Sequence, residues 1–100
     1  MQFLLAVIAG VLLFNAVPHL VQGICGKEHM TPLARKSSAL VNVIWGWINL
    51  VAGALVAWAS SCQGWGAAGW VGFCLGGIGV SVYLAVFWSN PEARLPWHKD

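Results

Sequence analysis

Asn15, His19 and Gln22 recur at i, i+4 and i+7, a spacing that puts all three on one face of a helix. Ser38, Asn42, Trp45 and Asn49 repeat that spacing in a second stretch. Nearly everything around them is apolar, so the amides and the imidazole form two isolated polar stripes. Two kinds of chemistry suit such stripes. In one, the side chains hydrogen-bond between neighbouring helices, each bond worth roughly 0.6–2 kcal/mol inside a membrane. In the other, they line a polar cavity or pathway, the usual position of ionisable groups in a membrane interior. His19 is the ionisable side chain deepest in its stretch, and only Tyr83 and Cys74 compare with it elsewhere. Pro18, between Asn15 and His19, removes its own amide donor and frees the Phe14 carbonyl, so a bend in the helix is expected there. Both chemistries remain open at this level.

Other reactive constellations are thinner. Cys25 and His29 are spaced i, i+4, and His98 belongs to the same polar surface. Metal centres built from Cys and His use four ligands at short, regular spacing. With two adjacent ligands and one remote, no metal site is expected. Cys25, Cys62 and Cys74 form no CxxC pair, and free thiols of this kind behave as small apolar groups. The acidic residues Glu28, Glu92 and Asp100 lie outside the apolar stretches, so no Ser-His-Asp triad or carboxylate pair can assemble within them. Gly76-Gly77-x-Gly79 sits inside an apolar run rather than after a strand, and there is no phosphate-binding GxxxxGK[ST] loop. The expectation is a protein that is not an enzyme and carries no cofactor.

The elements that must position these side chains follow from charge placement. Of 100 residues, 59% are apolar and only 8% charged, against about 25% charged in soluble domains. Residues 1–26 and 37–91 hold no Asp, Glu, Lys or Arg. About 20 apolar residues cross a bilayer as a helix, so the first stretch accommodates one crossing and the second two. Barrel strands would alternate polar and apolar residues; Phe3–Phe14 and Leu50–Ala59 do not. The sequence therefore predicts an all-α, single-domain integral membrane bundle over residues 1–100, with helices at about 2–24, 38–60 and 65–88. The first stretch lacks a basic leader and a small-x-small cleavage site, so it is expected to be a retained helix. Asn90-Pro91 stops the third helix. A loop at 25–37 and a tail at 89–100 share one end, and a turn at 60–64 occupies the other.

All five basic side chains, Lys27, Arg35, Lys36, Arg94 and Lys99, fall on the loop-and-tail end. Cytoplasmic segments are enriched in Lys and Arg, which predicts an outward N-terminus and a cytoplasmic C-terminus in the inner membrane. Trp58, Trp65 and Trp70 would then mark the outer interface, and Trp88 and Trp97 the inner one. The loop is expected to be a tight hinge near headgroups, and the tail an interfacial anchor or a partner-docking segment. No basic run is long enough to suggest nucleic acid. At about 1.5 Å rise per residue, Asn15 should lie level with Asn49, His19 with Trp45, and Gln22 with Asn42.

Two smooth seams complete the pattern. Gly69, Gly72, Gly76, Gly79 and Tyr83 are spaced 3, 4, 3 and 4 in the third helix. Ala39, Gly46, Gly53 and Ser60 recur every seven residues in the second. Small residues let membrane helices approach closely. Two seams and a polar stripe are much for three helices to bury, so a homo-oligomer or a larger membrane-protein partner is expected besides the bilayer. The leading expectation is a small membrane protein that works by helix packing; the alternative is an oligomeric channel or transporter lined by the polar stripes.

Overall fold

The computed structural model describes residues 1–62 and 64–98; Gln63 of the expected turn and Lys99 and Asp100 of the expected tail lie outside the described residues. It holds three helices: α1 (Gln2–Ile24), α2 (Ala39–Ser61) and α3 (Ala67–Trp88). Each is long and apolar enough to cross a membrane. Among the described residues, extended pairing is confined to one isolated bridge between His29 and Ser37. The long dimension of the molecule, 44 Å, matches a bilayer including its headgroup regions, about 40–45 Å.

The helix ends have local causes. α1 continues through Pro18 and ends at Ile24. There Gly26 takes φ +74°, a left-handed conformation that glycine adopts without penalty. The amides of Gly26 and Lys27 return to the carbonyls of Gly23 and Gln22, satisfying carbonyls that would otherwise be orphaned. Ser38 lies just outside α2 as its N-cap, its hydroxyl accepting from the Val41 amide at 3.2 Å. α3 starts at Ala67, two residues later than its composition suggests, because Trp65 folds back beneath the helix. The Trp65 indole donates to Ser60 Oγ at 3.2 Å and packs edge-on against Trp70. At this end Gln2 also donates to the Gly64 carbonyl.

α1 is the centre of the bundle. α2 and α3 both pack along it and scarcely touch one another. Along most of the α1–α2 seam a side chain fills a notch: a Cβ at Gly46 would lie 2.7 Å from Leu20 Cγ, and one at Gly53 2.8 Å from Leu13 Cγ; at its end Gly23 lies against the Ala39 carbonyl and Val43. The α1–α3 seam is backbone on backbone. Gly76 faces the Val7 carbonyl, Gly72 the Phe3 carbonyl, and Gly10 of α1 the Phe73 carbonyl. Two members of the expected α3 stripe behave differently. Gly69 is covered by Trp65 of its own chain segment, and Gly79 meets nothing within 4 Å. Gly77 takes the inward place instead, under the Phe14 ring. Both seams are thus occupied within one chain, which removes the packing argument for a second copy.

Candidate functional site

Asn42 is the hub of the polar stripes and is 0% exposed. Its Nδ2 donates to the carbonyls of His29 (2.8 Å), Ser37 (3.2 Å) and Ser38 (3.0 Å). Its Oδ1 is therefore an acceptor, so the 2.8 Å contact with His19 Nδ1 makes that nitrogen the donor. His19 then carries its proton on Nδ1 and presents a lone pair at Nε2. One turn deeper, Asn15 Nδ2 donates to Asn49 Oδ1 at 3.2 Å, and Asn49 Nδ2 donates to the Trp45 carbonyl at 3.0 Å. The expected Asn15–Asn49 level is found. His19 and Trp45 line one cavity, but the His19 ring bonds to Asn42, and Gln22, half-buried, makes no side-chain hydrogen bond among the described residues. An imidazole reaches a full turn along the stripe, which shifts the pairing by one position.

The loop is a folded cap. The His29 amide donates to the Ser37 carbonyl and the Thr31 amide to the Ala34 carbonyl. Ser37 Oγ donates to the Ala34 carbonyl at 3.0 Å, which leaves Thr31 Oγ1 to donate to Ser37 Oγ at 2.6 Å. Met30, Thr31 and Ser37 are all buried. The tail locks onto this cap. Trp97 Nε1 donates to the Pro32 carbonyl at 2.7 Å, and Arg35 to the Pro91 carbonyl at 2.9 Å. His98, 4% exposed, donates from Nε2 to the Thr31 carbonyl at 2.8 Å and accepts the Leu95 amide at Nδ1. Arg94 closes the turn onto the His98 carbonyl. The expected hinge and anchor are one hydrogen-bonded unit.

His29 turns inward rather than into solvent. Its ring lies 5.3 Å from that of His19 and 4.3 Å from that of Trp88, centroid to centroid. Burial holds its pKa below the ordinary histidine value, and the neighbouring His19 adds to the effect. His29 Nε2 and Trp88 Nε1 are buried without a hydrogen-bond partner among the described residues. Cys25 is exposed while His29 and His98 are engaged elsewhere, and among the described residues no group of three or more His, Cys, Asp or Glu converges on a metal position.

A cavity of about 160 Å³ opens beside His19. Asn15 and His19 form its polar wall, and Trp45, Tyr83, Phe87 and Trp88 its aromatic walls; Met30–Pro32 and Leu95 close its end. Neither Asn15 Oδ1 nor His19 Nε2 has a donor among the described residues. Of the five residues expected as a polar lining, Asn15 and His19 line the cavity, and Gln22, Asn42 and Asn49 do not. Sequence spacing missed Gly10, Gly23, Gly77 and the whole loop–tail cap. Ala9, Ala16 and Gly23, all buried in α1, recur every seven residues, a small-residue series that carried a signal for Gly23. No protein-family model, curated protein or solved structure matches this chain.

Proposed function

We propose that this multi-pass membrane protein acts non-enzymatically, as an accessory subunit of a larger membrane protein in the cytoplasmic membrane, with its N-terminus outside. The observation that carries the reading is the closure of both glycine seams on α1. A homo-oligomer built on those seams would compete with α1 for the same surface. What remains for association is the outer flanks of α2 and α3, where Trp47, Val51, Leu75 and Val82 are exposed, and the capped end. Native mass spectrometry of protein extracted gently from its own membrane tests this. A larger subunit at fixed stoichiometry is expected. A mass that is a small multiple of 10.7 kDa with nothing else bound would replace the reading with a homo-oligomer, and the lone chain would sink both.

The orientation rests on the basic residues of the loop and tail sharing one end. Cys25 and Cys62 are exposed at opposite ends of the bundle. In single-cysteine variants, an impermeant maleimide should label Cys62 in intact cells and Cys25 only after permeabilisation; the reverse pattern would invert the topology.

A transport reading is favoured by one observation, the cavity beside His19. Against it, Asn15, Asn49, His19 and Asn42 spend their mutual bonds on one another instead of facing a continuous path. Proton flux in liposomes that changes with His19→Ala would revive transport, and no flux in either version would remove proton movement from consideration.

A further inference from the structure

We propose that the cavity beside His19 is a binding site for a neutral, single-ring phenol carried in the bilayer. Two open acceptors, His19 Nε2 and Asn15 Oδ1, belong to the polar wall, and across from them the lining includes Trp88, whose Nε1 is a buried donor without a partner among the described residues. Asn42 fixes the proton of His19 on Nδ1, and Asn49 fixes the amide orientation of Asn15. Nε2 and Oδ1 are left facing a ligand that must supply the hydrogen. His19 is 5% exposed, and its Nε2 has no protein donor among the described residues, so a donor entering the cavity completes a hydrogen bond that the protein leaves open.

Charge narrows the class. No acidic side chain lines the cavity, and Glu28 and Glu92 are exposed. A cation would be stripped of water with no counter-charge, which is costly at membrane depth. An anion would meet the lone pairs of Asn15 and His19 with only the Trp88 N–H, and no Lys or Arg in the lining, to offset them. A neutral O–H donor meets neither objection. Size and walls narrow it further. A cavity of about 150 Å³ holds a benzene ring, and this one is about 160 Å³. The Trp45, Tyr83, Phe87 and Trp88 rings supply the offset and edge-on faces that aromatic ligands prefer. Asn15 Oδ1, one turn along α1, leaves a second acceptor for a dihydroxy ring.

The architecture also indicates the route. α2 and α3 scarcely touch, while loop and tail seal the end of the bundle with Pro32 and Leu95. The side between α2 and α3 is the open one, with Tyr83 at its rim 62% exposed. A ligand arriving sideways from the lipid can therefore keep an apolar tail in the bilayer while its ring enters.

The test titrates the full chain in lipid nanodiscs, following tryptophan fluorescence. Probes are 4-butylphenol, its methyl ether 4-butylanisole, and 4-hexadecylphenol preloaded in the bilayer. The expected result is saturable binding of 4-butylphenol, about tenfold weaker binding of the ether, as the loss of one buried donor implies, and competition by the long-chain phenol. His19→Asn keeps a donor near the Nδ1 position for Asn42 and replaces the Nε2 acceptor with an Oδ1 drawn back towards α1, so it should reduce the preference for phenol over ether. Leu84→Phe fills the cavity wall and should weaken both probes. Equal binding of phenol and ether by the wild type would overturn the proposal, as would an unchanged preference in folded His19→Asn. If His19→Asn fails to fold, the ether comparison and Leu84→Phe decide. Binding of 4-butylphenol without competition by 4-hexadecylphenol would overturn the membrane source.

Discussion

The two interfaces of α1 are built on opposite principles. Towards α2 it presents hydrogen-bonding groups, with Asn15 on Asn49 and His19 on Asn42, and leucines that fill the notches at Gly46 and Gly53. Towards α3 the closest contacts are with backbone, Gly10, Gly72 and Gly76 lying against carbonyls, with the Phe14 ring packed on Gly77, and no side-chain hydrogen bond joins the two helices among the described residues. The first interface has a register written in donors and acceptors. The second has none, and relies on close approach alone. A polar interface therefore fixes where the helices sit, and a glycine interface fixes how near they come.

That contrast breaks most sharply at Gly76. A side chain there meets the Val7 backbone, which cannot swing aside as a leucine can. Overpacking a core costs about 1–3 kcal/mol, and Gly76→Leu should reach or exceed the upper figure and separate α3 from α1. Gly79→Leu, three residues along, points into open space and should be close to neutral. Unfolding in detergent micelles measures both, and equal effects would mean that the glycine seam is misplaced.

Asn42 tests the other interface. Asn42→Ala leaves the His29 carbonyl and the Nδ1 proton of His19 without their partner, while the Ser37 and Ser38 carbonyls keep the His29 and Asn42 backbone amides. Buried groups left unsatisfied cost about 1–3 kcal/mol, and here the loss falls on α2 and the loop together. Asn49→Ala removes one interhelical bond, worth about 0.6–1.7 kcal/mol in membrane proteins. The expected order is Asn42→Ala well below Asn49→Ala in stability, with faster amide exchange at residues 29–38 only in the former. Matching exchange in the two variants would mean that Asn42 does not hold the loop.

How much of this was legible depends on which force acts. Helix extents were legible because charge-free runs of about 20 residues have one outcome in a bilayer. Asn15 with Asn49 was legible because depth along antiparallel helices is simple arithmetic. The α3 stripe was legible at Gly72 and Gly76 and failed at its ends: Trp65 covers Gly69, and Phe14 packs on Gly77, on the far side of the helix from Gly79, which stays open. The cap was not legible at all. Its bonds run from Trp97, His98 and Arg35 to backbone carbonyls, and a carbonyl acceptor has no signature in residue type. Polar loop residues read as solvated, yet Thr31 and Ser37 are buried because they satisfy one another.

The smallest expected effect sharpens the contrast by pH. His29 joins the polar side of the molecule to α3 through its stack on Trp88, and the titratable group on its other flank is His19. Burial first, and the proximity of His19 second, lower its pKa from the usual value near 6.5. Above that value the folded and unfolded chains both hold His29 neutral. As pH falls below it, the unfolded chain takes up a proton that the folded chain resists, so stability declines until the lowered folded pKa is reached. The melting temperature should therefore be flat above about pH 7 and drop on acidification towards pH 5. His29→Phe keeps the ring against Trp88, and the backbone bonds of residue 29 to Ser37 and Asn42 do not involve its side chain. It also deletes a buried nitrogen that has no partner. The variant should be at least as stable as the wild type at pH 7 and lose part of the acid sensitivity. An unaltered pH profile would show that His29 is not the source of the acid sensitivity and that its stack on Trp88 does not couple the polar side to α3 by protonation.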